Sequence, residues 1–347
     1  MNARLKRFAP ALVPVALALL VSVVLLLLAG ASPFRAFQLI YQGSLGSTTK
    51  LSNTLLAWVP LVLAAAGLVI TFQAGLWNIG VEGQIIMGAV AAAWVAREVP
   101  GPAAVVIPLT LLAGAIGGLI WGLFAAALKV YGKVHEIFGG LGLDFVATGF
   151  VVYLVIGPWK RAGVASTSGT DLFRDEAWLP TIGNLSPLAL AVAVASVVGV
   201  FYLMRGTLFG LRLKAVGRNP KSAFLLGIET NRYVLLAMGL GGALAGLAGT
   251  VQTTGFHHKL VPSISGGYGF LAILVVMLAA YRAVWIAPIA LFFVAISVGS
   301  TQLSLRLGLD SALGGVLQGV LVLFALLASG GQVYRSRMRS HTVEAEA

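Results

Sequence analysis

From Leu51 to Ala96 the chain carries one charge, Glu82, in 46 consecutive residues. An α-helix rises about 1.5 Å per residue and a bilayer's hydrocarbon core is about 30 Å thick, so a crossing takes about 20 apolar residues. This stretch is long enough to cross twice, yet it offers no solvated loop for the turn between crossings. The turn falls in Phe72-Gln73-Ala74-Gly75-Leu76-Trp77-Asn78-Ile79-Gly80-Val81-Glu82-Gly83-Gln84. Gly75, Gly80 and Gly83 permit a break or close backbone approach, while Gln73, Asn78, Glu82 and Gln84 supply donors and acceptors. Irregular backbone at membrane depth is tolerated where protein buries it or where it lines a cavity, and broken helices of this kind build substrate paths in transporters. Asn78 and Glu82 are four apart and are expected to share a helical face. Glu82 has two readings: it ties freed backbone amides and holds the break together, or it contacts a solute.

The remainder of the chain has the same character. Hydrophobic residues make up 59% of 347 and charged residues 10%, against about 25% charged in a soluble protein, which excludes a soluble globule. The fold class is therefore all-α, a polytopic membrane protein with about ten transmembrane helices and a broken or re-entrant segment near 72–84. The expected spans are 11–29, 51–71, 77–96, 104–128, 140–157, 187–204, 233–254, 267–281, 284–301 and 312–329. The pair 267–281 and 284–301 is separated only by the neighbourhood of Arg282 and reads as a tight hairpin or a partly re-entrant pair. The first run ends in Leu28-Ala29-Gly30-Ala31, which resembles a signal-peptide cleavage site, but its apolar stretch is longer than most signal cores and a retained helix is expected. Cysteine is absent, which removes disulfides and thiol-based metal or redox sites.

The net charge of +12 would point to nucleic acid in a soluble chain, but here its distribution reports orientation. With the N-terminus inside, the inner segments hold fifteen Lys and Arg, among them Arg4, Lys129, Arg205, Lys214, Arg218, Arg282 and Arg337. The outer segments hold eight, among them Arg97, Lys160, Arg161 and Arg174, beside five acids. Both termini are expected in the cytoplasm. The chain reads as one transmembrane domain, 1–347, with an exterior loop at 158–186 and an interior segment at 205–232.

The exterior loop carries Trp159, Lys160, Arg161, Asp175 and Trp178, enough aromatic and charged groups to dock a partner, or else a solvated connector. The interior segment combines six positive charges with Leu208, Leu211, Leu213, Val216, Phe224, Leu225, Leu226 and Ile228. That pattern predicts a short helix lying against a partner or the membrane lipid surface. Asp144 is a second acid within a span and hence a functional candidate, either in a proton relay or paired with Lys133 or His135 near the inner interface. Gly241, Ala245 and Gly249, with Gly242 and Gly246 beside them, form a small-residue face for close helix packing. His257 and His258 are adjacent and diverge, so no metal site is expected. No G-x-x-x-x-G-K-[ST] sequence occurs, and if ATP drives this protein another chain must bind it.

Gly75 through Gln84 closely resembles the signature of the permeases of bacterial ABC importers for simple sugars, nucleosides and branched-chain amino acids. Ala215-Val216-Gly217-Arg218-Asn219-Pro220-Lys221-Ser222-Ala223-Phe224-Leu225-Leu226-Gly227-Ile228 resembles that family's loop for the ATPase subunit. Val134-His135-Glu136-Ile137 and Gly267-Tyr268-Gly269-Phe270 follow in the family's order, so the similarity covers roughly residues 50–330, and the wording is most like the larger permease of nucleoside importers. Asp144 departs from the pattern, which has a neutral residue there. The resemblance implies a permease of the cytoplasmic membrane without cofactor or nucleotide site of its own, translocating a small polar solute by alternating access. Its implied partners are a second permease subunit, a cytoplasmic ABC ATPase and a substrate-binding lipoprotein, with no role for nucleic acid. Gln73, Asn78, Glu82, Gln84 and Asp144 are then expected at the pathway or its broken-helix support, and Gly217, Arg218, Asn219, Ala223, Phe224 and Gly227 at the ATPase coupling site. The rival reading is a carrier driven by a proton or sodium gradient, with Glu82 or Asp144 as coupling site.

The orientation is testable because the chain has no cysteine. Single cysteines at 4, 218 and 337 should be shielded from an impermeant thiol reagent in intact cells, whereas those at 160 and 171 should react. Labelling of position 218 from outside would overturn the topology.

Overall fold

The computed structural model describes residues 3–161, 163, 168–310, 312–324 and 327, with side-chain detail from residue 16. Among them the regular structure is helical: α1 (Ala3–Leu28), α2 (Pro33–Ser44), α3 (Thr48–Gln73), α4 (Val81–Glu98), α5 (Ala103–Val130), α6 (Glu136–Ile156), α7 (Pro187–Gly206), α8 (Leu208–Arg218), α9 (Pro220–Leu225), α10 (Thr230–Thr250), α11 (Tyr268–Leu278), α12 (Ala283–Leu307) and α13 (Leu313–Phe324). A π-helical turn, Val251–His257, continues α10.

A helix meets each expected span, but among the described residues six are long and apolar enough to cross a bilayer alone: α3, α5, α6, α7, α12 and α10 with its π turn. Counting α1 and α2 as one bent span gives seven, fewer than the expected ten or so. The reason is local. α4 carries Glu82, Arg97 and Glu98 within its 18 residues, and α11 has 11 residues, about 16 Å at 1.5 Å each, roughly half a bilayer. The segment after α1, which lies in none of the expected spans, forms α2, bent by 103° from Ala16–Leu28. Pro33 opens it, and Ala36, Leu39, Ile40 and Gly43 form its buried face while Phe34 and Tyr41 stay exposed.

The chain divides into two compact units, Met1–Thr54 with Phe292–Ala347, and Leu55–Leu291. In the first, Leu26, Ala36, Leu39, Ile40, Leu303 and Leu317 form a buried cluster. The Thr54 hydroxyl donates to the Ser44 carbonyl at 2.8 Å, and Gln318 Nε2 to the Phe293 carbonyl at 2.6 Å.

The second unit is organised by glycine. A Cβ on Gly118 would strike the Gly242 carbonyl, one on Gly246 the Gly114 carbonyl, and one on Gly122 the Met238 carbonyl. Gly114, Gly118 and Gly122 thus present a bare stripe on α5 to the small-residue face of α10, while Gly88 of α4 meets Gly246. Between apolar helices in lipid the hydrophobic effect gives no preference for contact, so this close approach, with its dispersion gain, holds the trio together. The α10 face read from the sequence therefore has its partner in α5.

Because backbone atoms are the obstruction, Gly246→Val and Gly118→Val should each destabilise by at least about 1–3 kcal/mol. Purified protein should lose several degrees of apparent Tm in a detergent-based thermal melt. Gly142→Ala and Gly199→Ala, where nothing lies within 4 Å of the added Cβ, should leave it unchanged.

Candidate functional site

The first four amides of a helix have no partner within it, and the helix dipole favours negative charge there. Two helices of the second unit begin beside an acid supplied by another helix. Gly267 and Gly269, at the start of α11, donate to Glu82 Oε1 and Oε2 at 3.0 and 2.7 Å, and the Ser265 hydroxyl is also directed at this carboxylate. Gly267 takes a left-handed conformation, φ 76°, and a Cβ on Gly269 would collide with Glu82. Gly83, in the first turn of α4, donates to Asp144 Oδ1 at 2.7 Å. Glu82 therefore binds freed amides, but those of a second break, at Gly266–Gly269, rather than those of its own turn. Asp144 does not pair with Lys133 or His135; Lys129 bonds Glu136 at 2.6 Å instead, and Asp144 Oδ2 is buried without a partner.

Between α3 and α4, residues 74–80 are non-helical. α4 begins at Val81, so Asn78 does not share a helical face with Glu82 as expected. Asn78 instead exchanges two 3.0 Å amide hydrogen bonds with Gln84, both side chains buried. Gly80 passes so close to Gly140 of α6 that neither accepts a Cβ without displacing backbone. Gln73 Nε2 donates to the Tyr281 carbonyl at 2.8 Å, and Gln73 borders a cavity of about 470 Å³. The other four residues expected at the pathway are buried, at most 7% exposed.

The segment 205–232 contains two short helices with side-chain caps. The Thr207 hydroxyl accepts from Gly210 N and opens α8, and Asn219 Oδ1 accepts from Ser222 N and opens α9, with Pro220 at its first position. Leu213, Val216 and Ala223 are buried, whereas Leu208, Leu211, Phe224, Leu225 and Leu226 stay exposed beside exposed Arg218 and Lys221. Gly227, φ 78°, ends α9 in the left-handed conformation. Two of the residues expected at a coupling surface thus face inward. Ala223 lies under the outward apolar group, and Gly217 presses on the α3–α4 break, where a Cβ would strike the Gln73 carbonyl. Gly75, φ 74°, returns the contact, its own Cβ position lying 3.0 Å from the Gly217 carbonyl.

In the loop 158–186 both tryptophans serve as anchors. Trp178 stacks on His258 with ring centroids 4.0 Å apart and donates to the Phe173 carbonyl, and Arg97 lies over the Trp159 ring. Burial holds the His258 imidazole below its ordinary pKa, so the ring in this stack is neutral at neutral pH. Backbone bonds from Thr170 to Leu260, Phe173 to His258 and Leu179 to Thr254 fasten the loop to the segment after α10. Lys160, Asp175 and the Arg161–Asp171 pair remain exposed. Sequence reasoning missed Gly267, Gly269 and Tyr281; the Gly266-Gly267-x-Gly269 spacing was the available signal for the first two.

These geometries separate the roles of the two acids. Glu82→Gln keeps one acceptor for two amides and should lower stability by about 1–3 kcal/mol with transport largely retained, whereas Glu82→Leu should abolish folded protein or uptake. Asp144→Asn preserves its only bonded oxygen and should be close to silent in radiolabelled uptake. Loss of all uptake in well-folded Asp144→Asn would instead assign that acid a proton-coupling role.

Residues 50–326 match the family model described as the permease component of the branched-chain amino acid transport system. The glucose ABC transporter permease protein of Haloferax volcanii is 33% identical, the match covering 92% of this chain and 87% of that one. The guanosine ABC transporter permease protein of Bacillus subtilis is 27% identical, covering 92% and 93%. The nucleoside ABC transporter permease protein of Lactococcus lactis subsp. cremoris is 26% identical, covering 86% and 85%. The family match includes both breaks, both acids and the whole interior segment, and the chain belongs to this family of ABC transporter permeases.

Proposed function

We propose that this permease carries a nucleoside, or a simple sugar, inward across the cytoplasmic membrane while a separate cytoplasmic ATPase hydrolyses the ATP. The substrate class follows from relatives described as glucose, guanosine and nucleoside permeases, whose solutes are polar and hydroxylated. A second permease subunit is proposed because such relatives occur as two permeases in one organism, in Haloferax volcanii and in Bacillus subtilis. A lipoprotein that delivers solute at Lys160, Arg161 and Asp175 completes the assembly, with Trp159 and Trp178 holding the loop that presents them. The single-domain organisation with about ten membrane passages, counting α4, α11 and α13 as shorter ones, and both termini inside belong to the same reading. Its support is that residues assigned to one side by charge also touch one another: Arg97 with Arg174 on one, Gln73 with Tyr281 and Gly217 on the other.

The contact of Gly217 with Gln73–Gly75 carries the mechanism. The outward apolar residues Phe224, Leu225 and Leu226, flanked by Arg218, Asn219 and Lys221, offer the ATPase a basic, greasy knob. Movement of that knob is passed by α8 through Gly217 to the α3–α4 break, and by Glu82 onward to α11. A partner shifts the equilibrium between inward and outward forms only as far as it binds one form more tightly. The ion-gradient carrier gains no support from Glu82, since amides hold both of its oxygens.

A double Phe224→Glu, Leu225→Glu variant should remain inserted and folded yet lose ATPase co-purification and uptake. Gly217→Val should retain the ATPase but lose stimulation of hydrolysis by loaded binding protein. Wild-type values in both, or uptake by the isolated chain without any ATPase, would overturn the proposal.

A further inference from the structure

The cavity that Gln73 borders is not accounted for by solute transport or by the exposed apolar knob of α9. It has a volume of about 470 Å³ and is walled by the ends of α3 and α7, by α8 and by the corner between α11 and α12. Arg205, Lys214 and Arg282 line it together with Phe201, Tyr281 and Trp285, and no carboxylate is among its walls. Among the described residues none of these three cations has an acidic partner. Their contacts leave the charge uncompensated: Arg205 lies over the Phe201 ring at 5.2 Å, and the Lys214 ammonium donates to the Met204 carbonyl at the end of α7.

The corner itself is held in a costly shape. Ala280 and Tyr281 both have positive φ, 47° and 61°, a conformation that L-residues with side chains adopt reluctantly. The strain is sustained where the Gln73 amide fastens the Tyr281 carbonyl and where Arg282 turns toward the cavity. Beside it α7 is mostly uncovered, with Val194, Val198 and Tyr202 exposed, as are Val284 and Trp285 at the start of α12. The cavity therefore opens beside apolar helix faces, with aromatic rings at its rim and positive charge at its base. Aromatic rings of this kind favour the headgroup level of a bilayer, and basic pockets between membrane helices on the cytoplasmic side suit anionic lipid headgroups.

We propose that this cavity binds the phosphate headgroup of an anionic phospholipid of the inner leaflet, its acyl chains lying along α7 and the start of α12. The phosphate faces Arg205, Lys214 and Arg282, and the apolar faces of Phe201 and Trp285 meet the glycerol and upper chains. Occupancy would brace the α11–α12 corner against the end of α3, tying lipid composition to the coupling contact. The assignment to the inner leaflet rests on the orientation proposed above; binding itself does not.

The test uses the purified full chain in detergent, titrated by native mass spectrometry with phosphatidylglycerol, phosphatidylcholine and inorganic phosphate. Phosphatidylglycerol should bind at least tenfold more tightly than phosphatidylcholine. At about fivefold per surface charge removed, Arg205→Gln with Arg282→Gln together should weaken it roughly thirtyfold. Arg205→Lys with Arg282→Lys, which retains the charge and is folded by size-exclusion profile, should bind within about threefold of wild type. Equal affinity for the two lipids, or unchanged affinity in the double Gln variant, would overturn the site. Inorganic phosphate matching phosphatidylglycerol would replace the lipid by a free anion and overturn it likewise. A cysteine at 282 that labels from outside intact cells would move the site to the outer leaflet, and so overturn the orientation while leaving lipid binding intact.

Discussion

Two carboxylates that each close the start of another helix hold the centre of this protein together. Asp144 of α6 receives the Gly83 amide of α4, and Glu82 of α4 receives the Gly267 and Gly269 amides of α11. In hydrocarbon an unpaired amide has no water to turn to, so a helix starting at depth needs an acceptor from elsewhere in the protein. A charged acceptor is the stronger one, and the partial positive charge of a helix start offsets part of the cost of burying it. The series α6 to α4 to α11 links three helices through two such contacts. Loss of either acid frees the start of the next helix in line.

The same economy explains why glycine recurs at the joints. Gly80 against Gly140 and Gly75 against Gly217 let the α3–α4 break lie against α6 on one side and α8 on the other with backbone in contact. Backbone contacts have no rotamers through which displacement can be absorbed, so a displacement of α8 would reach the break with little loss. The Asn78–Gln84 amide pair spans the break and keeps its two ends in register.

Much of this was legible in the sequence. The uncharged run after Leu51 predicted two helices and a break at the right place, and the apolar positions of 208–228 predicted one short amphipathic helix where the structure has two, α8 and α9. The individual partners were less legible because they depend on three-dimensional proximity. Asn78 and Glu82 have helical spacing, but helical spacing means nothing across a break, and Asn78 turns to Gln84. One of the two readings of Glu82 had it bind amides, yet those amides, 185 and 187 residues away, come from the start of α11, whose signals in the sequence are its glycines and its family wording. Ala223 carries the right motif position and still faces inward, since a short helix must bury one of its sides. α2 was missed because its apolar face is too short to stand out as a span, although Ala36, Leu39, Ile40 and Gly43 repeat with helical period.

The two ends of the second unit are joined to the same point by different routes. At one end Gly217 touches the break that leads into α4 and Glu82. At the other, the loop carrying Trp178 is fastened by backbone bonds to Thr254, His258 and Leu260, and the chain runs from there directly into Gly267 and the amides that Glu82 receives. A protein bound to the exterior loop and a protein bound to α9 would therefore act on opposite partners of one hydrogen-bonded contact, the first on the amides and the second on the carboxylate. Such an arrangement couples two sites reciprocally: whatever free energy the outer partner contributes toward one geometry of this contact, the inner partner must meet in its own affinity. In the proposed assembly the carboxylate of Glu82, the one charge in 46 residues, is where the two demands would meet.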